Sequence, residues 1–183
     1  MKATQILSSE HRVIERVISS LEKAAVQLEQ GSPVEPDFFI DAASFIKGFA
    51  DGCHHKKEEG VLFKAMSDHG VPAQGGPVSV MLAEHEQGRV YTRGMLQAAQ
   101  ELQKGDAGAR ERIAQNALGY AALLRQHIIK EDTILFPMAD QVIPLDQQDD
   151  VYEGFERVEH EETGEGVHEK YLGLAERLEQ RVG

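Results

Sequence analysis

All six prolines of this chain fall at a few breaks, and the runs between them repeat apolar residues at spacings of three and four, with no strand-like alternation anywhere. The breaks are Gly31-Ser32-Pro33 with Pro36, Gly70-Val71-Pro72 through Gly75-Gly76-Pro77, Gly105-Asp106, Pro137 to Pro144, and Gly164 to Gly166. They predict helices near 4–30, 37–68, 77–103, 108–136 and 146–163, with a last amphipathic piece near 167–181. Long helices joined by short loops hide their apolar stripes against one another. The expected fold class is therefore all-α: an antiparallel up-down four-helix bundle over residues 1–145, with a C-terminal helical extension, 146–183, packing on it. A chain of 183 residues can bury a core of its own, and the single cysteine, Cys53, excludes an internal disulfide.

Charge narrows the partners. A net charge of −12 repels nucleic-acid phosphates and anionic lipid. No stretch approaches the roughly 18 uninterrupted apolar residues of a membrane span, and the start, MKATQILSSEHRVIERV, lacks the apolar segment of a secretory signal. A cytoplasmic protein with no nucleic-acid and no membrane partner is expected.

The helical stripes carry polar residues where a core is due. Leu7, His11, Ile14, Ile18, Leu21, Ala25 and Leu28 form the stripe of the first helix, and Phe39, Ala43, Ile46, Ala50, His54, Glu58, Leu62 and Ala65 that of the second. The third runs Met81, His85, Gly88, Thr92, Met95, Ala99, Leu102, and the fourth Ile113, Ala117, Tyr120, Leu124, His127, Glu131, Ile134, Met138. Each helix thus aims one histidine inward, and two add a carboxylate one turn later. Chance alone would give roughly one His-x-x-x-Glu pair in such a chain and four occur, so the pairs by themselves say little. An internal repeat says more: HHKKEEGVLF at 54–63 returns as HIIKEDTILF at 127–136, and Glu10-His11 returns as Glu84-His85. The chain reads as a duplicated two-helix unit.

Four inward imidazoles and two carboxylates divide evenly between two metal ions bridged by the carboxylates. Mixed nitrogen and oxygen donors without thiolate suit iron or manganese better than a structural zinc site. Without metal, two ionised carboxylates would lie in a low dielectric at a cost of several kcal/mol each unless paired.

Taken in order, the inward His11, HHKKEEGVLF, AEHEQGR and HIIKEDTILFP resemble the hemerythrin-like proteins of the HHE cation-binding type, over residues 4–140. The resemblance implies a non-haem, carboxylate-bridged centre of two iron ions with His11, His54, Glu58, His85, His127 and Glu131 as ligands. It implies binding of O2, H2O2 or NO, or alternatively a di-iron oxidoreductase that decomposes peroxide, oxidises iron or handles NO. Oxygen-carrying members have a further histidine one turn after the third-helix ligand. Here Arg89 takes that place, which leaves four histidines and argues against simple reversible carriage.

The remaining polar residues read more plainly. His55 points about 100° away from His54 on an α-helix and is expected off the seam, with Glu15 and Glu59 as solvated or supporting groups. Lys56, Lys57 and Lys130 are assigned to the charged outer face, Tyr120 to the core with its hydroxyl bonded, and Cys53 to a small buried site. Arg89 either orients a carboxylate or pairs outward. His160 and His168 are expected in solvent, and Glu165-x-x-His168 is the one Glu-x-x-His, too few for a ferritin-type site.

Overall fold

The computed structural model describes residues 2–164 and 166–183. Among them are six helices and no strand. Helix α1 spans Ala3–Glu29, α2 spans 36–68, α3 spans Pro77–Gln103 and α4 spans 109–142, followed by α5, Gln148–Arg157, and α6, Val167–Val182. Pro36 and Pro77 begin α2 and α3, where a missing N–H costs nothing. Gly31 and Gly105 leave α1 and α3 with φ of 79° and 99°, the left-handed conformation that ends a helix at glycine.

Two of the long helices are not α-helical throughout. In α2, α-helical Pro36–Phe45 and Phe63–Asp68 enclose wider π-helical turns at Ile46–His55 and Glu58–Leu62, and in α4 a π turn at Glu131–Leu135 joins Ala109–Lys130 to Phe136–Val142. The fourth helix therefore runs past Pro137, where the sequence predicts a break. Pro137 falls in the first turn of the α-helical piece that follows the π turn, a position that tolerates its missing N–H.

Helices α1 to α4 form the bundle, with close α3–α4, α1–α4 and α2–α3 seams. Along the remaining side α6 packs against both α1 and α2. The fit is close at Gly48, where an added Cβ would lie 1.9 Å from the Tyr171 ring, and Arg16 Nε donates to Glu179 at 2.9 Å. The apolar core is in two parts. One gathers Ile14 to Leu28, Phe38 to Ala50, Met95 to Ala99 and Ile113 to Ile128 with Leu174 to Val182. The other gathers Leu7, Leu62 to Met66, Val78, Met81 and Leu135 to Ile143 with Val151 and Phe155. Between them, at the levels of residues 11, 54–58, 85 and 127–131, lies a buried polar layer.

Candidate metal centre

All six residues singled out in the sequence meet in that layer: His11, His54, Glu58, His85, His127 and Glu131 are each at most 1% exposed. With His55 they form two groups, each with one nitrogen or oxygen per residue within 4.8 Å of the others: His11, His54, Glu58 and Glu131, and His55, Glu58, His85 and His127. Glu58 reaches His54 Nε2 and His85 Nε2, both at 3.4 Å, so it touches both groups. Glu131 reaches His11 Nε2 at 3.1 Å and His127 Nε2 at 3.0 Å, and does the same.

His55 is the addition. It is 3% exposed and stacks on His85, ring centroids 3.8 Å apart, so the expectation that it lies off the seam gives way to five inward imidazoles. The cause is the π-helical stretch. An i→i+5 turn holds more residues than an α turn and rotates successive side chains by less than about 100°, which lets adjacent His54 and His55 face one interior. Gly52 marks the distortion: a Cβ there would lie 2.9 Å from the Lys47 carbonyl oxygen, five residues back.

Every one of the five rings is held by its outer nitrogen. Nδ1 of His11 donates to Asp132 at 2.9 Å, His54 to Glu10 at 2.9 Å, His55 to Asp51 at 2.8 Å, His85 to Glu59 at 2.7 Å and His127 to Glu84 at 2.9 Å. An ionised carboxylate only accepts, so each Nδ1 carries the hydrogen and each Nε2 turns inward. Cations steady the carboxylates in turn: Arg12 on Asp132, Lys57 on Glu10 at 2.6 Å, Arg89 on Glu59 at 2.6 Å, Lys130 on Glu84. The sequence repeat becomes a structural one here, since Glu10 takes His54 and Lys57 while Glu84 takes His127 and Lys130. It breaks at one place: Ile128 stands opposite His55 in the repeat. The two halves of the layer accordingly hold two and three histidines.

Burial opposes every charge in the layer, and partners decide the outcome. His54 is lifted to about 10 against that burial by Glu58 and Glu10, and His85 to about 11 by Glu131, Glu58 and Glu59. Glu58, despite its burial, is held well below the usual carboxylate range by His54 and His85, and Glu131 is lowered by His11, His127 and His85. His55 goes the other way: burial and the neighbouring His85 and His54 push it well down, so it stays neutral.

These residues fit a metal. His11 Nε2, His54 Nε2 and both oxygens of Glu58 and of Glu131 are buried without a hydrogen bond, the short nitrogen–oxygen approaches lacking bonding geometry. Imidazole nitrogens and carboxylate oxygens converging in one buried layer are what a first-row divalent ion satisfies, displacing the protons that His54 and His85 carry without it, and the carboxylates on each Nδ1 orient such rings. A third group, Glu10, Cys53 and Glu159, also lies within 4.8 Å, but its cation is already present: Lys57 Nζ bonds Glu10 at 2.6 Å and Glu159 at 2.7 Å.

Other expectations shift. Lys57 is fully buried, not on the outer face, because Glu10 of α1 and Glu159 of the C-terminal extension supply its counter-charges; Lys56 is exposed and Lys130 half-buried. Arg89 orients carboxylates, bonding Glu59 and lying 3.7 Å from Asp51. Tyr120 is buried as expected, but its hydroxyl has no hydrogen-bond partner among the described residues. Cys53 is buried, and Glu15 pairs with Arg12 at the surface. His160 is exposed, His168 packs near Phe49 at 5.2 Å, and Glu165 lies outside the described residues.

Comparison with known proteins agrees with this geometry. The family model of the hemerythrin HHE cation binding domain matches residues 2–139. The uncharacterized proteins Rv1995 of Mycobacterium tuberculosis and Mb2018 of Mycobacterium bovis are each 26% identical to the chain over 181 residues, covering 99% of it and 70% of the relative. No solved structure gives a significant match. No helix among the described residues is long and apolar enough to cross a membrane.

Proposed function

The chain belongs to the hemerythrin HHE cation-binding family, and on that premise we propose that its buried layer holds two iron ions and binds O2, H2O2 or NO. His11 and His54 would hold one ion and His55, His85 and His127 the other, with Glu58 common to both groups and Glu131 reaching from the first to His127 Nε2. One observation carries the proposal: five rings are fixed through Nδ1 to five separate carboxylates, so that their Nε2 atoms surround two buried glutamates. Such anchoring fixes tautomer and ring orientation before the ion arrives and raises the basicity of Nε2.

Iron, when bound, supplies the redox chemistry toward the small ligand. The chain's own residues do the rest. Glu58 and Glu131 neutralise half of the charge of two ferrous ions, and the two apolar cores on either side keep bulk water from the layer. Of the four histidines read from the sequence, the count rises to five through His55, which weakens the argument against oxygen carriage drawn from Arg89. Binding is therefore the first reading and peroxide or NO turnover the second, both inside the cytoplasm.

Anaerobic loading with ferrous iron, followed by stepwise NO, O2 and H2O2, tests it. The predicted result is a change in the optical spectrum that saturates at stoichiometric NO or O2, with continued loss of H2O2 marking turnover. An iron-loaded protein whose spectrum ignores all three overturns it.

A further inference from the structure

Between α2 and α3 lies a cleft of about 290 Å3 lined by Lys47, Asp51, Arg89, Thr92, Arg93 and Leu96. Two of the six belong to the anchoring network. Asp51 accepts from His55 Nδ1 at 2.8 Å, and Arg89 donates to Glu59, the acceptor of His85 Nδ1. Asp51 therefore stands between the cleft and His55, and Arg89 with Glu59 between the cleft and His85.

The chemistry of its walls selects a class of visitor. The three lining cations Lys47, Arg89 and Arg93 stand against three carboxylates, Asp51 in the lining, Glu59 on Arg89 and Glu86 on Arg93 at 3.1 Å, so the cleft carries no net positive charge to draw an anion to a chain of net charge −12. Half-buried Leu96 is apolar, and buried Thr92 spends its hydroxyl on the Gly88 carbonyl at 2.9 Å. Gly88 lies on α3 between Thr92 in the cleft and His85 in the layer, and against it packs the ring of Tyr120, 3.5 Å from where a Gly88 Cβ would be. The Tyr120 hydroxyl is buried and has no hydrogen-bond partner among the described residues.

We infer that this cleft is the access route by which a neutral diatomic molecule, O2 or NO, reaches the histidine layer, with Arg89 and Asp51 closing its inner end. The inference rests on the proposed function for its purpose and not for its test. A second cleft, of about 440 Å3 on another face of α2, also meets the network, through Glu59, and includes Val61 and Arg157. It serves as the control.

Dissolved O2 is paramagnetic and speeds the relaxation of nuclei it approaches, so NMR of the metal-free full chain under oxygen pressure reads access without iron chemistry. The His55 ring and the Leu96 and Thr92 methyls are expected to show strong enhancement. Leu96→Trp should cut the effect at His55 by roughly threefold or more, as the larger indole narrows the cleft from its wall, and Val61→Trp should leave it unchanged. Lys47→Trp fills the same cleft from an exposed position and repeats the test should Leu96→Trp misfold. In the iron-loaded protein the rate of oxidation by O2 should fall in the same order. Enhancement at His55 that survives both cleft-filling variants, or that falls only in Val61→Trp, overturns the inference. A protein that takes up no iron yet shows the expected relaxation pattern would defeat the metal assignment and leave the access route standing.

Discussion

His55 and His85 lie face to face, ring centroids 3.8 Å apart and planes 17° from parallel. Two buried imidazoles at that distance cannot both be cations, and the network divides them: His85 is held up by Glu131, Glu58 and Glu59 against its burial, while His55 is pushed down by burial and by His85 itself. One ion bound to both rings would displace the proton of His85 and leave two neutral imidazole ligands. His55→Ala is accordingly expected to lower iron from about two ions per chain to about one, and His54→Ala to do so through the other half of the layer. Iron analysis after reconstitution checks this; full iron in His55→Ala would return that residue to a packing role.

Lys57 offers a contrast with its repeat partner. Its ammonium is fully buried between Glu10 and Glu159, whereas Lys130 meets Glu84 with a side chain 36% exposed. Lys57→Met removes the ammonium shared by Glu10 and Glu159, leaving Glu10 with His54 alone, and is expected to cost about 3–5 kcal/mol in unfolding free energy. Lys130→Met should cost only about 0–1 kcal/mol, as for a solvent-screened pair. Equal losses in denaturant melts would contradict the placement of Lys57.

Much of this was legible in the residues and some was not. The stripes, the inward histidines and the repeat are properties of spacing, and a helix of period 3.6 carries them directly into space. The π turns are different, because nothing in a 3.6-residue period announces an i→i+5 bond; the adjacent His54-His55 and the mid-helix Gly52 were the available signs. Lys57 was unreadable for another reason. Its burial depends on Glu10 and Glu159, which come from distant parts of the chain, and a lysine read alone belongs in water. The anchors were half visible, since Glu10 and Glu84, and Lys57 and Lys130, recur with the repeat, but which ring each one holds is decided only when α1 packs on α2 and α3 on α4.

Arg89 bonds Glu59 and approaches Asp51, the acceptors of His85 and His55. Removing it frees two anchors of the three-histidine half. Arg89→Gln should weaken iron at that half by about 10–100-fold, the usual effect of losing such support. Glu86→Gln, which alters only the outer partner of Arg89 and Arg93, should not. Chelator competition measures both, and unchanged affinity in Arg89→Gln would make the arginine a surface residue.

Acidity separates the metal-free and loaded forms. In the metal-free protein His54 and His85 titrate at about 10 and about 11, above the roughly 6.5 of an unfolded histidine. Their contribution is therefore complete below about pH 6.5 and is lost as pH rises toward those values. Glu58, held low, contributes above the unfolded carboxylate value of about 4.3 and loses that contribution in acid. The metal-free Tm should fall between about pH 6.5 and 9.5, while iron binding, which displaces those protons, strengthens over the same range. A metal-free Tm that climbs across this interval would contradict the imidazolium–carboxylate pairing.

Counting metal is the most direct test of all. Protein reconstituted anaerobically with ferrous iron, desalted and analysed by inductively coupled plasma mass spectrometry is predicted to hold about two iron ions per chain, one for each group of convergent ligands. Folded protein that retains no iron, or a single zinc in its place, would contradict it.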